Sequence, residues 1–174
     1  MSKLFKLSYP RSSLINEKKK EIIVCNSAKN EIQIYDEEGK LRKRIGKEGK
    51  GRMEFNCNFS MTNNSRNELI IADIGNRRVE ILNEDYEYLF EFDNIELSQR
   101  FRLVSNDFDE ILISDSIKSD LKLFESDGKL KSKFGKVGNK MGEFDGPCGS
   151  CFDLYDNLLV TDYNNHRIQK FLFD

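Results

Sequence analysis

Four stretches of the chain share one pattern of apolar and polar positions. An apolar run ends in Asp or Asn, a short polar turn follows, and a second run then places apolar residues at alternate positions. Residues 69–82 and 158–171 show the pattern in full, and residues 22–35 and 111–124 show it with changes. Two such runs around a turn that contains Asn or Gly predict a pair of β-strands. The chain is therefore predicted to repeat one β-hairpin, with no convincing helix.

The spacing of the copies predicts how the hairpins are organised. The residue that ends the first run is Asn26, Asp73, Asp115 or Asp162, and successive positions are 47, 42 and 47 residues apart. A further strand is predicted on each side of the hairpin, the one after it at Leu41–Ile45 or Leu130–Phe134, which makes four strands per unit. This period and strand number are typical of β-propellers. We predict an all-β propeller in a single domain, with blades at approximately residues 10–54, 55–98, 99–144 and 145–174, the last incomplete.

Two copies are preceded by a Gly-rich connector, at residues 46–55 and 135–144. The connector before Asp145-Gly146-Pro147, together with the motif Asp-x-x-Asn-x-Arg-(Ile/Val) that begins at Asp73 and at Asp162, resembles the NHL repeat. The resemblance covers nearly the whole chain and implies a propeller that usually has six blades. Four copies amount to about two-thirds of such a ring, so we expect a fragment of a longer protein or an unusual closure.

The copies depart from the NHL pattern at two places. Glu31 and Asp120 stand near the position of the motif Arg in copies one and three, and Asn26 replaces the Asp in copy one.

The resemblance also implies a function. NHL repeats of this kind occur at the C-terminal end of tripartite-motif proteins, where the propeller recruits substrates and a RING domain carries ubiquitin-ligase activity. This chain contains no RING, B-box or coiled-coil pattern. The leading hypothesis is thus a non-catalytic module that recognises a protein partner. The alternative is binding of single-stranded RNA, as some members of the family do.

The Asp, Asn and Arg residues of the motif have two interpretations. They could contact a ligand, or they could hold the turn, since carboxylate and amide side chains bond to nearby backbone groups. Recurrence from blade to blade favours structural turn clamps at Asp73, Asn76, Asp162 and Asn165.

The net charge of −2 gives no reason to expect nucleic-acid or membrane binding from the chain as a whole. In a four-stranded blade, however, the turns between the second and third strands lie on the same face as the connectors. That face gathers cations and the opposite face gathers acids. A basic face suits RNA phosphate or an acidic protein, although a solvated rim explains it equally well. The residues predicted to contact a partner or RNA are Arg77, Arg78, Lys118, Arg167, Lys47 and Arg52.

Signals for catalysis are weak. Cys148 and Cys151 lie three apart on a predicted strand, where their side chains point to opposite faces, so a zinc or redox pair is not favoured. His166 is the single histidine and lies in a turn. A propeller enzyme with a metal on its axis would need several histidines. We therefore predict no enzyme activity, no metal and no cofactor, and we keep a metal-dependent enzyme as the third hypothesis.

The location and assembly of the protein follow from its apolar segments. No apolar run approaches the ~18 residues of a membrane helix, and the N-terminal residues lack the apolar core of a signal peptide. We expect a cytoplasmic protein with no membrane contact. Open blade edges would also favour self-association.

Overall fold

A computed structural model describes residues 7–56, 59–93 and 95–172 of the chain. These residues form four antiparallel sheets, and their one helical segment is a short 3-10 turn at Ser27–Lys29. The strands of the first sheet are β1 (Pro10–Asn16), β2 (Glu21–Asn26), β3 (Glu31–Asp36) and β4 (Leu41–Ile45). Those of the second are β5 (Phe59–Asn63), β6 (Leu69–Asp73), β7 (Arg78–Leu82) and β8 (Tyr88–Phe92). Those of the third are β9 (Phe101–Ser105), β10 (Ile111–Asp115), β11 (Asp120–Phe124) and β12 (Leu130–Phe134). The fourth sheet contains β13 (Pro147–Phe152), β14 (Leu158–Asp162) and β15 (Arg167–Phe171).

The strands of each sheet follow one another in chain order, as they do in a propeller blade. The prediction of an all-β propeller with four-stranded blades is confirmed, and we number the sheets as blades 1 to 4. The short strands predicted at Leu41–Ile45 and Leu130–Phe134 have those bounds in the structure.

The chain divides into two compact units, at residues 1–95 and 96–174. Unit 1 holds blades 1 and 2, and unit 2 holds blades 3 and 4. Each has its own apolar core of strand residues. Ile23, Ile34 and Ile71 are fully buried in unit 1, and Leu112, Leu121 and Val160 are fully buried in unit 2.

The two middle strands of blades 2 and 3 are buried on both faces. All five residues of β6 are buried, and so are all five residues of β7, β10 and β11. Burial on both faces explains why the first run of each hairpin is continuously apolar rather than alternating. It also forces any polar residue on these strands to find a partner inside the protein.

The hairpin register places one polar pair next to each turn. Asp73 lies opposite Arg78, and Asp162 lies opposite Arg167. The residue that precedes the third strand of a blade has positive φ in all four blades, namely Asn30, Arg77, Ser119 and His166. Such a left-handed residue closes a tight turn.

Each blade has two ends, which we name for reference within a unit. The connector end carries the turn between the second and third strands together with the connector that precedes the blade. The loop end carries the turns between strands one and two and between strands three and four.

Candidate functional site

A buried side chain at the end of each second strand fixes how the chain enters the blade. Its oxygen accepts the backbone N–H of a residue 17 or 18 positions earlier in the chain. The donor and acceptor pairs are Ser8 with Asn26, Asn56 with Asp73, Ser98 with Asp115, and Asp145 with Asp162, at 2.8, 3.2, 2.7 and 2.7 Å. The motif Asp, or the Asn of blade 1, therefore ties the segment before the first strand to the hairpin.

The Gly-rich connector before blade 2 folds into a closed loop. The N–H of Phe55 donates to the carbonyl of Lys47 at 2.8 Å, and the N–H of Gly49 donates to the carbonyl of Phe55 at 3.2 Å. Gly46 has φ +90°, and a Cβ there would lie 2.3 Å from the ring of Phe55. Glycine is thus required for the buried Phe55 ring to pack against the backbone. The connector before blade 4 has the same bonds at Phe144 and Gly138.

Arg78 inserts into this loop from the hairpin. Its guanidinium donates to the carbonyls of Lys50, Gly51 and Glu54 at 3.1, 2.6 and 2.7 Å. The side chain is only 6% exposed and also forms ion pairs with Glu80 and Glu91. Arg78 therefore holds the connector closed from inside.

Arg167 repeats this arrangement in blade 4. It donates to the carbonyls of Asn139, Lys140 and Glu143 at 2.7, 2.8 and 2.8 Å. Each acceptor stands 89 positions after its counterpart in the first connector. The two connectors and their arginines thus have the same arrangement, which we call the clamp.

The pairing of connector and arginine explains why copy three lacks the Arg. The residues before blade 3 are not a Gly-rich connector, and Asp120 takes the Arg position there. Asp120 forms ion pairs with Lys122 and Lys133, both at 2.9 Å. The motif Arg occurs in the two copies that follow a Gly-rich connector, a link that was visible in the sequence but not drawn from it.

The residue two positions after the Arg sets the electrostatics of each clamp. Oε2 of Glu80 accepts the N–H of Met53, and Oε1 of Gln169 accepts the N–H of Gly142, both at 2.9 Å. The second polar atom of each side chain differs: Nε2 of Gln169 donates to the carbonyl of Glu143 and to Asp162, whereas Oε1 of Glu80 pairs with Arg78. Burial raises the pKa of Glu80 to about 7.

The pKa values of the two motif aspartates, Asp73 and Asp162, shift in opposite directions. Burial raises the pKa of Asp73 despite the hydrogen bonds from Asn76 and Asn56. Burial acts the same way on Asp162, but hydrogen bonds from Asp145, Asn165 and Arg167 outweigh it and lower the pKa. The direct 2.9 Å ion pair from Nε of Arg167 to Asp162 has no equivalent at Asp73 among the described contacts.

Of the four residues predicted as turn clamps, Asn76 and Asn165 lie in turns, and Asp73 and Asp162 end the strands that precede those turns. Nδ2 of Asn76 donates to Asp73 at 2.7 Å and to the carbonyl of Gly49 at 2.8 Å. Nδ2 of Asn165 donates to Asp162 at 2.9 Å and to the carbonyl of Gly138 at 2.8 Å. These bonds hold each turn against its connector.

Two of the six residues predicted to contact a partner are engaged inside the protein. Arg78 is buried and Arg167 is only 30% exposed, and each binds three connector carbonyls. The assignment of these two arginines to an outer surface is corrected, because the connector already occupies their donors.

The other four residues are exposed. Lys47, Arg52 and Arg77 lie at the connector end of unit 1, and Lys118 lies at the connector end of unit 2. Lys47 pairs with Glu54 at 3.1 Å. The guanidinium of Arg52 lies 4.7 Å from the ring centre of Tyr88.

Apolar side chains at the connector end of unit 2 were not predicted. Ile117, Val137, Met141 and Tyr163 are 61%, 69%, 81% and 70% exposed. Val137 and Met141 occupy the connector positions that hold Glu48 and Arg52 in unit 1. Aligning the two connectors, rather than counting charges, would have revealed them.

Cys148 and His166 lie near this surface, whereas Cys151 lies further along β13. Cys148 and Cys151 are exposed, free thiols, and Sγ of Cys148 lies 3.4 Å from Oγ1 of Thr161. Cys148 and His166 both line a shallow pocket of about 430 Å³. Within residues 7–56, 59–93 and 95–172, no group of three or more His, Cys, Asp or Glu side chains is placed to hold a metal ion.

Comparisons with known proteins agree with this architecture. A family model described as a 6-bladed beta-propeller matches residues 8–93, and the NHL repeat model matches residues 156–171. No curated protein matches the chain. The fold is thus that of an NHL-type β-propeller.

Several solved structures share the fold at low sequence identity. A streptogramin B lyase is 14% identical with a TM-score of 0.71, over 94% of this chain and 51% of that one. A virginiamycin B lyase from Staphylococcus aureus with quinupristin is 15% identical with a TM-score of 0.70, over 93% of this chain and 52% of that one. A putative gluconolactonase is 17% identical with a TM-score of 0.66, over 97% of this chain and 60% of that one. The chain spans about half the length of the two lyases.

These neighbours correct one prediction. The prediction of no enzyme activity, which was based on the single histidine and the weak signals for catalysis, is wrong, because lyases share this fold. At 14–15% identity the likeness shows the fold alone and assigns no reaction to this chain.

The part of the chain that the structure describes contains no helix long and apolar enough to cross a membrane.

Proposed function

We propose that this chain recognises a partner protein, and that the connector end of unit 2 contacts an acidic, partly apolar segment of that partner. The observation that carries the proposal is the set of exposed side chains at this end. It combines Ile117, Val137, Met141 and Tyr163 with the exposed cations Lys118, Lys136 and Lys140.

The composition of this surface suits a protein interface. Exposed apolar groups next to one another mark interaction sites, and Tyr and Met are enriched in the centres of protein interfaces. Lys118 and Lys136 form ion pairs with Glu96 and Glu143 at 3.7 and 3.4 Å. Exposed pairs of this kind are weak, so these lysines and Lys140 would still attract a partner's carboxylates and speed association. The rigid clamp at Arg167 supports the surface, because it fixes the connector that carries Val137 and Met141.

A protein partner is favoured over single-stranded RNA by the kind of apolar group present. RNA binding without base pairing depends on aromatic side chains on which bases stack. Of the four exposed apolar residues, Tyr163 is aromatic, whereas Ile117, Val137 and Met141 offer no ring. RNA binding is therefore an outcome that the experiment distinguishes rather than a second proposal.

The experiment replaces the unit 2 connector residues with those of unit 1. Fluorescence anisotropy would follow a labelled peptide of alternating Glu and Leu, and separately a random single-stranded RNA pool, across a salt series. The Val137→Glu/Met141→Arg variant should lose about tenfold or more in peptide affinity, because it removes both apolar anchors. Glu48→Ala, at the equivalent connector position in unit 1, is the matched control and should bind as the parent protein does.

The result has three informative outcomes. Peptide binding that falls in the variant and persists in the control supports the proposal. Equal peptide binding by parent and variant would overturn it. Retention of RNA with a steep salt dependence and no peptide binding would replace it with the RNA-binding alternative.

Three further expectations stay predictions. The NHL resemblance implies a place in a tripartite-motif ubiquitin ligase, the apolar segments imply a cytoplasmic location, and open blade edges imply self-association. Sedimentation of the pure protein would test the last of these.

A further inference from the structure

A groove lies at the loop end of unit 2. The opposite, connector end of that unit carries the exposed side chains of the proposed function, which we call the connector surface. The volume of the groove is about 810 Å³, and its lining includes Phe108, Tyr155 and Leu172 as well as Glu110, Glu125 and Asp156. Phe108, Tyr155 and Leu172 are 72%, 82% and 72% exposed. Two aromatic rings and a leucine thus face solvent beside three carboxylates.

The equivalent loops of unit 1 carry charge at the aromatic positions. Each loop between the first and second strands closes with a left-handed residue: Lys20, Asn67, Asp109 or Asp156. The residue before it is Lys19 in blade 1, Arg66 in blade 2, Phe108 in blade 3 and Tyr155 in blade 4.

The cations of unit 1 are used within that unit, whereas the rings of unit 2 are exposed. Lys19 pairs with Asp85, and Arg66 pairs with Glu68, both at 2.8 Å. An aromatic ring that faces solvent buries little apolar area and so adds little hydrophobic stabilisation to the fold. A charged residue at the same position would lose no such stabilisation. Phe108 and Tyr155 therefore mark a surface suited to a partner.

The loops that hold the rings are ordered by their own side chains. Oδ1 of Asn106 accepts the N–H of Glu110 at 2.8 Å, and Oδ1 of Asp153 accepts the N–H of Tyr155 at 2.9 Å. Asp156 accepts the N–H of Asp107 at 3.2 Å and so joins the two loops. A groove held in this way loses little conformational entropy when a ligand binds.

The charge of the groove specifies the chemistry of its occupant. Lys131 pairs with Glu110 and neutralises it. Glu125 is exposed and Asp156 is half-buried, and no Lys, Arg or His nitrogen among residues 7–56, 59–93 and 95–172 lies within 4 Å of either carboxylate. The remaining carboxylates and the two π-faces both attract positive charge.

We infer that this groove binds a peptide segment of a partner protein in which Lys or Arg stands next to an aliphatic residue. The cation lies over Phe108 or Tyr155 and near Glu125, and the aliphatic side chain packs against Leu172. This surface is opposite in charge to the connector surface, so the two recognise different segments.

The test uses the whole chain and a labelled short peptide that carries Lys and Arg on either side of a Leu in a Gly and Ser background. The Phe108→Ser/Tyr155→Ser variant should weaken anisotropy-detected binding about tenfold or more, since aromatic anchors dominate such contacts. Glu125→Lys should weaken it as well and reduce its salt dependence. Leu154→Ser is the matched control, because Leu154 is 96% exposed and adjacent to Tyr155 but is not among the groove residues.

The outcomes separate this inference from the proposed function. Weaker binding in the groove variants, with Leu154→Ser and Val137→Glu/Met141→Arg unchanged, supports the groove whether or not the connector surface binds. No binding by the parent chain, equal binding by all variants, or equal binding of a peptide with Glu in place of Lys and Arg would overturn it. Sedimentation that shows a dimer abolished by Phe108→Ser/Tyr155→Ser would assign the groove to a second copy instead.

Discussion

The clamps of blade 2 and blade 4 have the same backbone and the same arginine but different electrostatics. In blade 4, Nε of Arg167 donates to Asp162 at 2.9 Å, and Gln169 fills the neighbouring position. In blade 2 that position is Glu80, and Arg78 forms ion pairs with Glu80 and Glu91. Nε of Arg78 is buried with no hydrogen-bond partner in the described part of the chain.

The difference shows what the repeated motif determines and what it leaves open. The motif arginine binds three connector carbonyls in both blades, so the connector fixes that part of its geometry. The carboxylate that it pairs with depends on whether the residue two positions later is Glu or Gln. The motif arginine thus pairs with Glu80 in blade 2 and with the motif aspartate in blade 4. Burial gives Glu80 a pKa of about 7.

The largest predicted effect is the loss of Arg78. At about pH 8, where Glu80 is ionised, Arg78→Ala leaves Glu80 buried without its cation and three carbonyls without a donor, so we expect a loss of about 3–5 kcal/mol in the free energy of unfolding. Arg167→Ala should cost less, about 1–2 kcal/mol, because Arg167 is 30% exposed and Asp162 keeps its bonds to Asp145 and Asn165. Urea unfolding followed by far-UV circular dichroism would measure both.

Arg77 provides the control for this comparison. It precedes Arg78 and is exposed, so Arg77→Ala should change the free energy of unfolding by no more than ~0.5 kcal/mol. Equal losses in Arg78→Ala and Arg167→Ala would show that the connector bonds, and not the carboxylate partner, set the stability of the clamp.

The next effect is a charge exchange in blade 3, which lacks the clamp. Asp120→Arg would place a third cation beside Lys122 and Lys133 in a buried site, with no Gly-rich connector to accept its hydrogen bonds. We expect a loss of about 2–4 kcal/mol. Asp120→Arg/Lys122→Glu restores the order found at Arg78 and Glu80, and it should recover part of that loss.

A double-mutant cycle on these two positions separates charge from shape. No recovery in the double variant would mean that blade 3 rejects the arginine on steric grounds, since the pairing of opposite charges would then contribute nothing.

A smaller effect concerns pH. The folded protein keeps Glu80 protonated up to about pH 7, whereas the unfolded chain releases this proton near pH 4.5. Glu80 therefore makes the free energy of unfolding fall as pH rises through this window, by about 3–4 kcal/mol in total at ~1.4 kcal/mol per pH unit. Glu80→Gln should remove this slope.

The control for the pH effect is Glu87→Gln, a substitution in the turn that precedes β8. Urea unfolding at intervals between pH 4.5 and 7 would compare the slopes of parent and variants. A slope that persists unchanged in Glu80→Gln would assign the pH dependence to another group, such as Asp73, whose raised pKa acts in the same direction.

The sequence predicted the fold well because the signals for it are local and repeated. The continuous apolar runs at β6 and β10, the turn residues and the period together specified four-stranded blades. The site was harder, because its contacts join residues 24–28 positions apart. The charge of Arg78 and of Arg167 was visible, but their position beneath the connector carbonyls was not. Exposure of Phe108 and Tyr155 was also missed, since aromatic residues in β proteins usually pack in the core.

The smallest predicted effect sharpens the comparison between the two aspartates. Asp73 should titrate above its usual pKa of 3.8 and Asp162 below it. If the direction of the arginine causes this difference, Glu80→Gln frees Arg78 to pair with Asp73, and the pKa of Asp73 should fall below 3.8, as that of Asp162 does. Side-chain carboxyl chemical shifts in an NMR titration would report both groups, with Asp162 as the internal control. A pKa of Asp73 that stays raised in the variant would show that burial, and not the orientation of Arg78, separates the two blades.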